Sequence, residues 1–148
     1  MTTLIRSLIA LLMLSYSVST SAYPQYADDW SHRSVMYFAP TKDQHVQQFI
    51  KESLINQCEL DDRDVVTVVV TQDGFTFPSW VKAYFDIEWL FDVYRVNSEE
   101  HVAILIGKDG TEKKRWNLKT DWQELSTLID AMPLRKRETK GRVSPCKA

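Results

Sequence analysis

Hydrophobic positions along the chain change their period several times, and each change marks an element. Ser34-Val35-Met36-Tyr37-Phe38-Ala39 is short, apolar and β-prone, and Pro40 stops it. It predicts a buried strand. Val46, Phe49, Ile50 and Leu54 then recur at +3, +4 and +8, the stripe of one helical face. Thr41 and Gln44 ahead of them have the T-x-x-Q spacing of a capping box, which satisfies free N–H groups at a helix start. This helix is expected to end near Gln57 or Cys58. Val65 to Val70 is a nearly unbroken β-branched run, closed by Gln72-Asp73-Gly74. A strand apolar on both faces belongs inside a sheet that is covered on both sides.

Residues 79–94 are ambiguous by type, but Trp80, Tyr84, Ile87, Phe91 and Tyr94 recur at +4, +7, +11 and +14, which favours a helix after Pro78 with its aromatic stripe in the core over a stripe that serves as a ligand platform. His101 to Ile106 predicts a further buried strand. Gly107-Lys108-Asp109-Gly110 is a turn in which Asp-Gly accepts positive φ angles, and Thr111 to Trp116 is its more polar returning strand. Thr120 and Gln123 form a second capping-box pattern. Trp122, Leu125, Leu128, Ile129 and Met132 then mark one face of a helix that Pro133 stops. The order is β-α-β-α-β-β-α. Two strands joined by a helix should be parallel with a right-handed crossover, and the closing hairpin adds an antiparallel pair. The expected fold is α/β and thioredoxin-like, a four-stranded mixed sheet with helices on both faces.

The ends of the chain carry different signals. Arg6, the apolar run Leu8 to Leu14, and Thr20 and Ala22 at −3 and −1 of a cut after Ala22 describe a signal peptide over 1–22. The other reading, an uncleaved anchor, is disfavoured because the apolar run falls short of the roughly 20 residues that span a bilayer. Asp86, Glu88 and Asp92 interrupt the most apolar later segment, so no transmembrane anchor is expected after cleavage. A polar leader (23–33), the domain (34–138) and a basic tail (139–148) should follow. The product should be exported, to the periplasm or beyond.

Composition narrows the function classes. The chain has 148 residues, of which 44% are hydrophobic and 26% charged, within the globular range. Its net charge of −2 offers no global basic field, so no specific nucleic-acid partner is expected. The charge is uneven: residues 23–134 hold 11 Lys/Arg and 19 Asp/Glu, giving −8, and residues 135–148 hold six and one, giving +5. No Walker loop, GxGxxG, HExxH, GxSxG or CxxC occurs. His32, His45 and His101 lack the i,i+4 spacing of helical metal ligands. Asp61, Asp62 and Asp64 around Arg63 lack the glycine and final glutamate of a calcium loop and read as a turn. No cofactor and no metal is expected.

Chemistry has three places to reside. A thioredoxin-like oxidoreductase holds a low-pKa thiolate at its first strand-to-helix junction, where the helix N-terminus stabilises the anion. Here that junction is Ala39-Pro40-Thr41-Lys42-Asp43-Gln44, without cysteine, and the hydroxyl of Thr41 supplies no thiolate. The two cysteines, Cys58 and Cys146, have three readings: a structural bridge favoured by an oxidising compartment, separate or intermolecularly paired thiols, or a redox pair. The third place is basic. Lys114 and Arg115 on the returning strand, with Arg135 and Arg137 after the last helix, form a candidate anion-binding patch for an anionic or protein partner in the envelope. The competing reading is that cations after a helix complement its negative end.

Two C-terminal segments carry a family resemblance. Ile104-Leu105-Ile106-Gly107-Lys108-Asp109-Gly110, followed by Ile129-Asp130-Ala131-Met132-Pro133-Leu134-Arg135-Lys136-Arg137-Glu138, resembles the LIGKDG…ID-x-MPMRR-x-E ending of a bacterial domain of unknown function. Phe38-Ala39-Pro40 and Asp62-Arg63-Asp64 match its earlier FAP and ERD positions. The departures are Leu134, Lys136 and Asp62. Over Ser34 to Glu138 the chain thus resembles the prokaryotic branch of the DUDES family, related to domains in secreted matrix proteins with sushi repeats. The resemblance implies a thioredoxin-like fold nearest to peroxiredoxins, and export; it implies no particular activity. Two functions therefore stand against each other: a non-catalytic binding or envelope-interaction module, and a periplasmic thiol oxidoreductase of peroxiredoxin type using Cys58 or Cys146; a small-ligand or metal binder ranks third.

Overall fold

The computed structural model describes residues 31–146; the expected signal peptide and the leader up to residue 30 lie outside them. Strand β1 (Arg33–Ala39) runs parallel to β2 (Val65–Thr71), with Val35 opposite Thr67 and Tyr37 opposite Val69. On its other side β1 pairs antiparallel with β4 (Val102–Ile106), and β4 pairs antiparallel with β5 (Glu112–Trp116). The sheet has five strands rather than the expected four, in the order β3-β2-β1-β4-β5. The extra strand, β3 (Thr76–Phe77), is two residues long, too short for any hydrophobic period to reveal. It forms because Gly74, at φ +94°, turns the chain back so that Thr76 meets Val70 and Phe77 meets Val69. β1 also begins one residue earlier than its apolar pattern, at a buried Arg33.

Alternation along the strands separates two cores, one on each face. Val35, Tyr37, Ala39, Val69, Ala103 and Leu105 face helices α1 (Gln44–Ile55), α2 (Gln57–Asp62) and α5 (Trp122–Ala131), which contribute Val46, Phe49, Leu60, Leu125 and Ile129. Met36, Phe38, Val68, Val70, Ile104 and Ile106 face α3 (Val81–Tyr84) and α4 (Ile87–Val93), which contribute Val81, Leu90 and Phe91. The β-branched run in β2 is therefore covered on both sides, as its composition requires. This is a thioredoxin-like α/β fold with a mixed five-stranded sheet.

Helix boundaries depart from the pattern where acidic side chains cap more effectively than the threonines. Asp43, not Thr41, caps α1: its Oδ1 accepts from the N–H groups of His45 at 2.9 Å and Val46 at 3.0 Å. Asp121, not Thr120, caps α5 by accepting from Glu124 N–H at 2.9 Å. Thr120 is instead buried and accepts from Trp116 Nε1 at 3.0 Å. The single helix expected over 79–94 is two helices. Phe85 is extended, and Asp86 starts α4 by accepting from Trp89 N–H at 2.8 Å. The break leaves Trp80 and Tyr84 outside the core, Tyr84 at 79% exposure, so of the stripe only Phe91 is buried, with Ile87 and Tyr94 half-buried against the core. Past the end of α1, the chain continues after Asn56 into α2, and Pro133 both ends α5 and opens α6 (Pro133–Glu138) at its first position. Among the described residues, no helix is long and apolar enough to cross a membrane.

Candidate functional site

The junction between β1 and α1 is where this fold can direct helix N–H groups at an anion. Two of its N–H groups, those of His45 and Val46, are already engaged by Asp43 Oδ1. The other oxygen, Oδ2, lies 2.8 Å from Nε2 of His101, which arrives 58 residues later at the start of β4. The rings of His45 and His101 meet edge to face at 5.3 Å, and Tyr37 lies 6.1 Å from His101. Burial opposes charge on Asp43, but the Val46 N–H and the His101 side chain outweigh it and hold the carboxyl below its ordinary range. Tyr37, stacked on Phe49 at 4.5 Å and donating its hydroxyl to Leu118 O at 3.3 Å, is pushed up to about 12 by burial and then by the Asp43 charge.

This junction can hold a proton between Asp43 and His101, but it presents no thiol. Thr41 is exposed, and its carbonyl accepts from Asp43 N–H at 2.9 Å. The Asp43–His101 contact escaped the sequence reading because no local spacing links the two. The signal that could have found it is topological: His101 precedes the strand that pairs with β1. Tertiary structure does bring His45 and His101 together, yet among the described residues no group of three or more His, Cys, Asp or Glu is arranged for a metal ion.

At the opposite end of the sheet the motif residues converge. The Asp62 carboxylate, 3% exposed, receives Arg135 at 2.7 Å and Arg142 at 3.0 Å. Arg135 also reaches Asp130 at 3.2 Å, and Asp130 bonds Arg63 at 2.7 Å. Glu138 sits between Arg33 at 3.2 Å and Lys108 at 2.7 Å, and Lys108 continues to Asp64 at 2.8 Å. For both Asp62 and Glu138 burial works against the charge and the facing cations overcome it, so both carboxyls titrate low. Lys108 is raised in the same way: desolvation opposes its charge, while Asp64 and Glu138 more than compensate.

The network corrects the proposed anion-binding patch. Arg135 is 3% exposed and committed to Asp62 and Asp130, so it is not part of an open surface. Its place after a helix end put it among the cations of the sequence pattern, but α6 continues the chain and turns this side chain inward. Lys114 is paired with Glu124, and Arg115 with Glu112 at 2.7 Å and with the Tyr94 carbonyl at 2.7 Å. Arg137 is exposed on α6. The two cysteines are joined: Cys58, the second residue of α2, bonds Cys146 with Cα atoms 5.8 Å apart, well inside the limit of about 7 Å.

Residues 26–138 match the family model described as Domain of unknown function (DUF4174). The chain belongs to this family. No curated protein sequence matches it. Among solved structures it is similar to a reduced 2-Cys peroxiredoxin of Plasmodium vivax, with a TM-score of 0.53 and 17% identity, over 80% of this chain and 73% of that one. It is also similar to thioredoxin peroxidase I of Plasmodium yoelii, with a TM-score of 0.51 and 18% identity, over 79% and 80% of the two chains. At such identity the likeness establishes the fold alone. Within this DUF4174 domain, most of the ionic network comes from the C-terminal and Asp-Arg-Asp motifs: Asp62, Asp64, Lys108, Asp130, Arg135 and Glu138 fasten α6 to the α2–β2 corner. Their geometry is that of a fastening and not of an open reaction site.

Proposed function

We propose that this DUF4174 domain is an exported, non-catalytic thioredoxin-fold module that works by binding a protein or anionic partner in the cell envelope. We place it in the prokaryotic branch of the DUDES family, on its FAP, GKDG and MPLRKRE segments. One observation carries the reading. The helix N–H groups that would stabilise a reactive thiolate are occupied by the Asp43 carboxylate, an anion supplied by the protein itself. The Cys58–Cys146 bond supports it, because it leaves neither sulfur as a thiol. Export is supported by the Arg6, apolar core and Thr20-x-Ala22 arrangement.

The test has two parts. Mass spectrometry of protein from the envelope should give Tyr23 as the N-terminus; intact Met1 on cytoplasmic protein overturns export. The purified protein should reduce neither peroxide nor insulin disulfides, with or without a thiol donor. Turnover abolished by Cys58→Ser or Cys146→Ser would replace the binding reading by the oxidoreductase one.

A further inference from the structure

The outer face of α3 and α4 is aromatic and uncovered. Trp80, just ahead of α3, and Tyr84 meet edge to face with ring centres 6.2 Å apart, and both are exposed. On α4, Leu90 and Phe91 turn to the sheet, while Trp89 and Val93, four residues apart, are exposed at 43% and 46%. Beside that row runs an acidic one, Glu88 and Asp92, both exposed and without a paired cation among the described residues. Like charges four apart on a helix repel, and Asp92 also stands in the last turn, where the helix dipole opposes it. Residues 80–100 hold two Lys/Arg and five Asp/Glu, giving −3. Exposed Trp and Tyr beside uncompensated carboxylates fit a partner surface that is both apolar and cationic.

The chain carries such a surface itself. On α6, Leu134, Lys136 and Arg137 are exposed around the side away from the buried Arg135, and exposed Lys140 and Val143 follow, the last at 85%. Lys136, Arg137 and Lys140 have no acidic partner among the described residues, whereas Arg135 and Arg142 are held by Asp62. The end of α6 accounts for only part of this charge, since a helix end presents about half an elementary charge. Within one copy the two surfaces lie apart. α3 and α4 cover one face of the sheet, whereas α6 follows α5 and is fastened to α2, both of which cover the other. A second copy seated on one surface therefore leaves its own counterpart turned away. A contact between unlike surfaces that does not close on two copies goes on adding copies, as a ring or an open chain.

We infer that copies of this chain associate head to tail, the aromatic and acidic face of α3 and α4 on one copy receiving the apolar and basic surface of α6 and the segment after it on the next. Arg137 matches the exposed rings by cation–π attraction, the two lysines match Glu88 and Asp92, and Leu134 and Val143 match Trp89 and Val93. A small basic molecule would satisfy the carboxylates but leave the apolar side chains of both surfaces bare, so a second copy fits better. Self-association of this kind goes beyond the partner reading above and stands without it.

The test is sedimentation equilibrium of the full exported chain at low salt over a range of concentrations. The weight-average mass should rise past that of a dimer and fall toward the monomer as salt is raised. Glu88→Gln/Asp92→Asn and Lys136→Gln/Arg137→Gln should each weaken association about tenfold, the size two exposed ion pairs support. Both double variants remain net negative, so general charge attraction does not pair them. An equimolar mixture should nevertheless form one-to-one pairs through the one intact surface of each, and growth should stop there. Tyr84→Ala, at a side chain outside the core, should weaken association without changing charge, and circular dichroism checks the folding of every variant. A monomer at all concentrations overturns the proposal. So does a dimer that stops growing, which indicates a contact between like surfaces, or a mixture that associates no better than its components. Association unchanged in all three variants assigns the contact to another surface and overturns it equally. A monomeric parent leaves the partner reading intact, since the peroxide and insulin assays test that reading separately.

Discussion

Arg135 and Asp62 meet at 2.7 Å with both side chains 3% exposed, joining α6 to the end of α2 across 73 residues of sequence. A buried pair of this kind is costly to break from one side, because the partner keeps its charge without compensation. Arg135→Ala should therefore lower stability, by less than the roughly 3–5 kcal/mol of a charge left alone, because Arg142 still faces Asp62 at 3.0 Å. Asp62→Leu should also destabilise, since it leaves Arg135 with Asp130 at 3.2 Å as its remaining carboxylate and frees Arg142. Combining the two removes both charges, so the double variant should cost clearly less than the sum. A double-mutant cycle by urea denaturation measures the difference; strict additivity would mean that the pair is not coupled.

Acid should reveal the same network. Asp62, Glu138 and Asp43 all titrate below their ordinary values of 3.8, 4.5 and 3.8 in the folded protein. As pH falls through those ordinary values, the unfolded chain takes up protons before the native one does, so the equilibrium moves toward unfolding. The stability held by these carboxylates is thus fully present above the ordinary values and is lost as pH drops through the lower native ones. Urea midpoints measured in steps from neutral pH downward should fall most steeply in that window. Glu138→Gln should flatten the fall.

The fold was legible because its signals are redundant. β1, β2 and β4 each show as an apolar run, and only a sheet covered on both faces accommodates three of them. β3 was hidden because a two-residue strand has no period, and the break at Phe85 because Asp86 caps locally inside a pattern that reads as continuous. The sites were less legible. Arg135 looks like a surface cation when only its neighbours in sequence are considered; its burial depends on Asp62, 73 residues away. Asp43 and His101 become a pair only once β4 lies beside β1. The absence of a thiol at the β1–α1 junction, by contrast, needed only the strand and the residue after it, so the strongest argument about chemistry was local.

Alkali should act through Tyr37 and Lys108. Tyr37 is pushed up to about 12 from 10.0, and Lys108 is raised above 10.5. For the tyrosine, the unfolded chain loses its proton first as pH passes its ordinary value. For the lysine, the ammonium favoured by Asp64 and Glu138 persists longer in the folded state. Both contributions are whole below the ordinary values and decline as pH climbs through the raised native ones. Spectrophotometric titration should show one phenolate appearing later than the rest, and Tyr37→Phe should remove that late step. Its survival in the variant would assign it to another tyrosine.

The last prediction concerns the bond between Cys58 and Cys146, which closes a loop of 88 residues' separation. Cross-linking so distant a pair restricts the unfolded chain, and chain-entropy reasoning gives roughly 4–5 kcal/mol as an upper guide. Cys58→Ser and Cys146→Ser should each lower the unfolding midpoint by nearly the same amount. The double variant should cost little more than either, because one bond is lost in all three. Local effects should be confined to the tail. Residues beyond Glu138 would then be held mainly by Arg142 on Asp62, itself half exposed, and limited proteolysis should clip them ahead of the sheet. Raised salt should speed that clipping in the variants by weakening the remaining ion pair, and do much less in the parent. A redox pair would behave otherwise: one cysteine would be indispensable for turnover, and its loss would leave the midpoint nearly unchanged. Equal midpoints for the parent and all three variants would therefore remove the structural role of the bond.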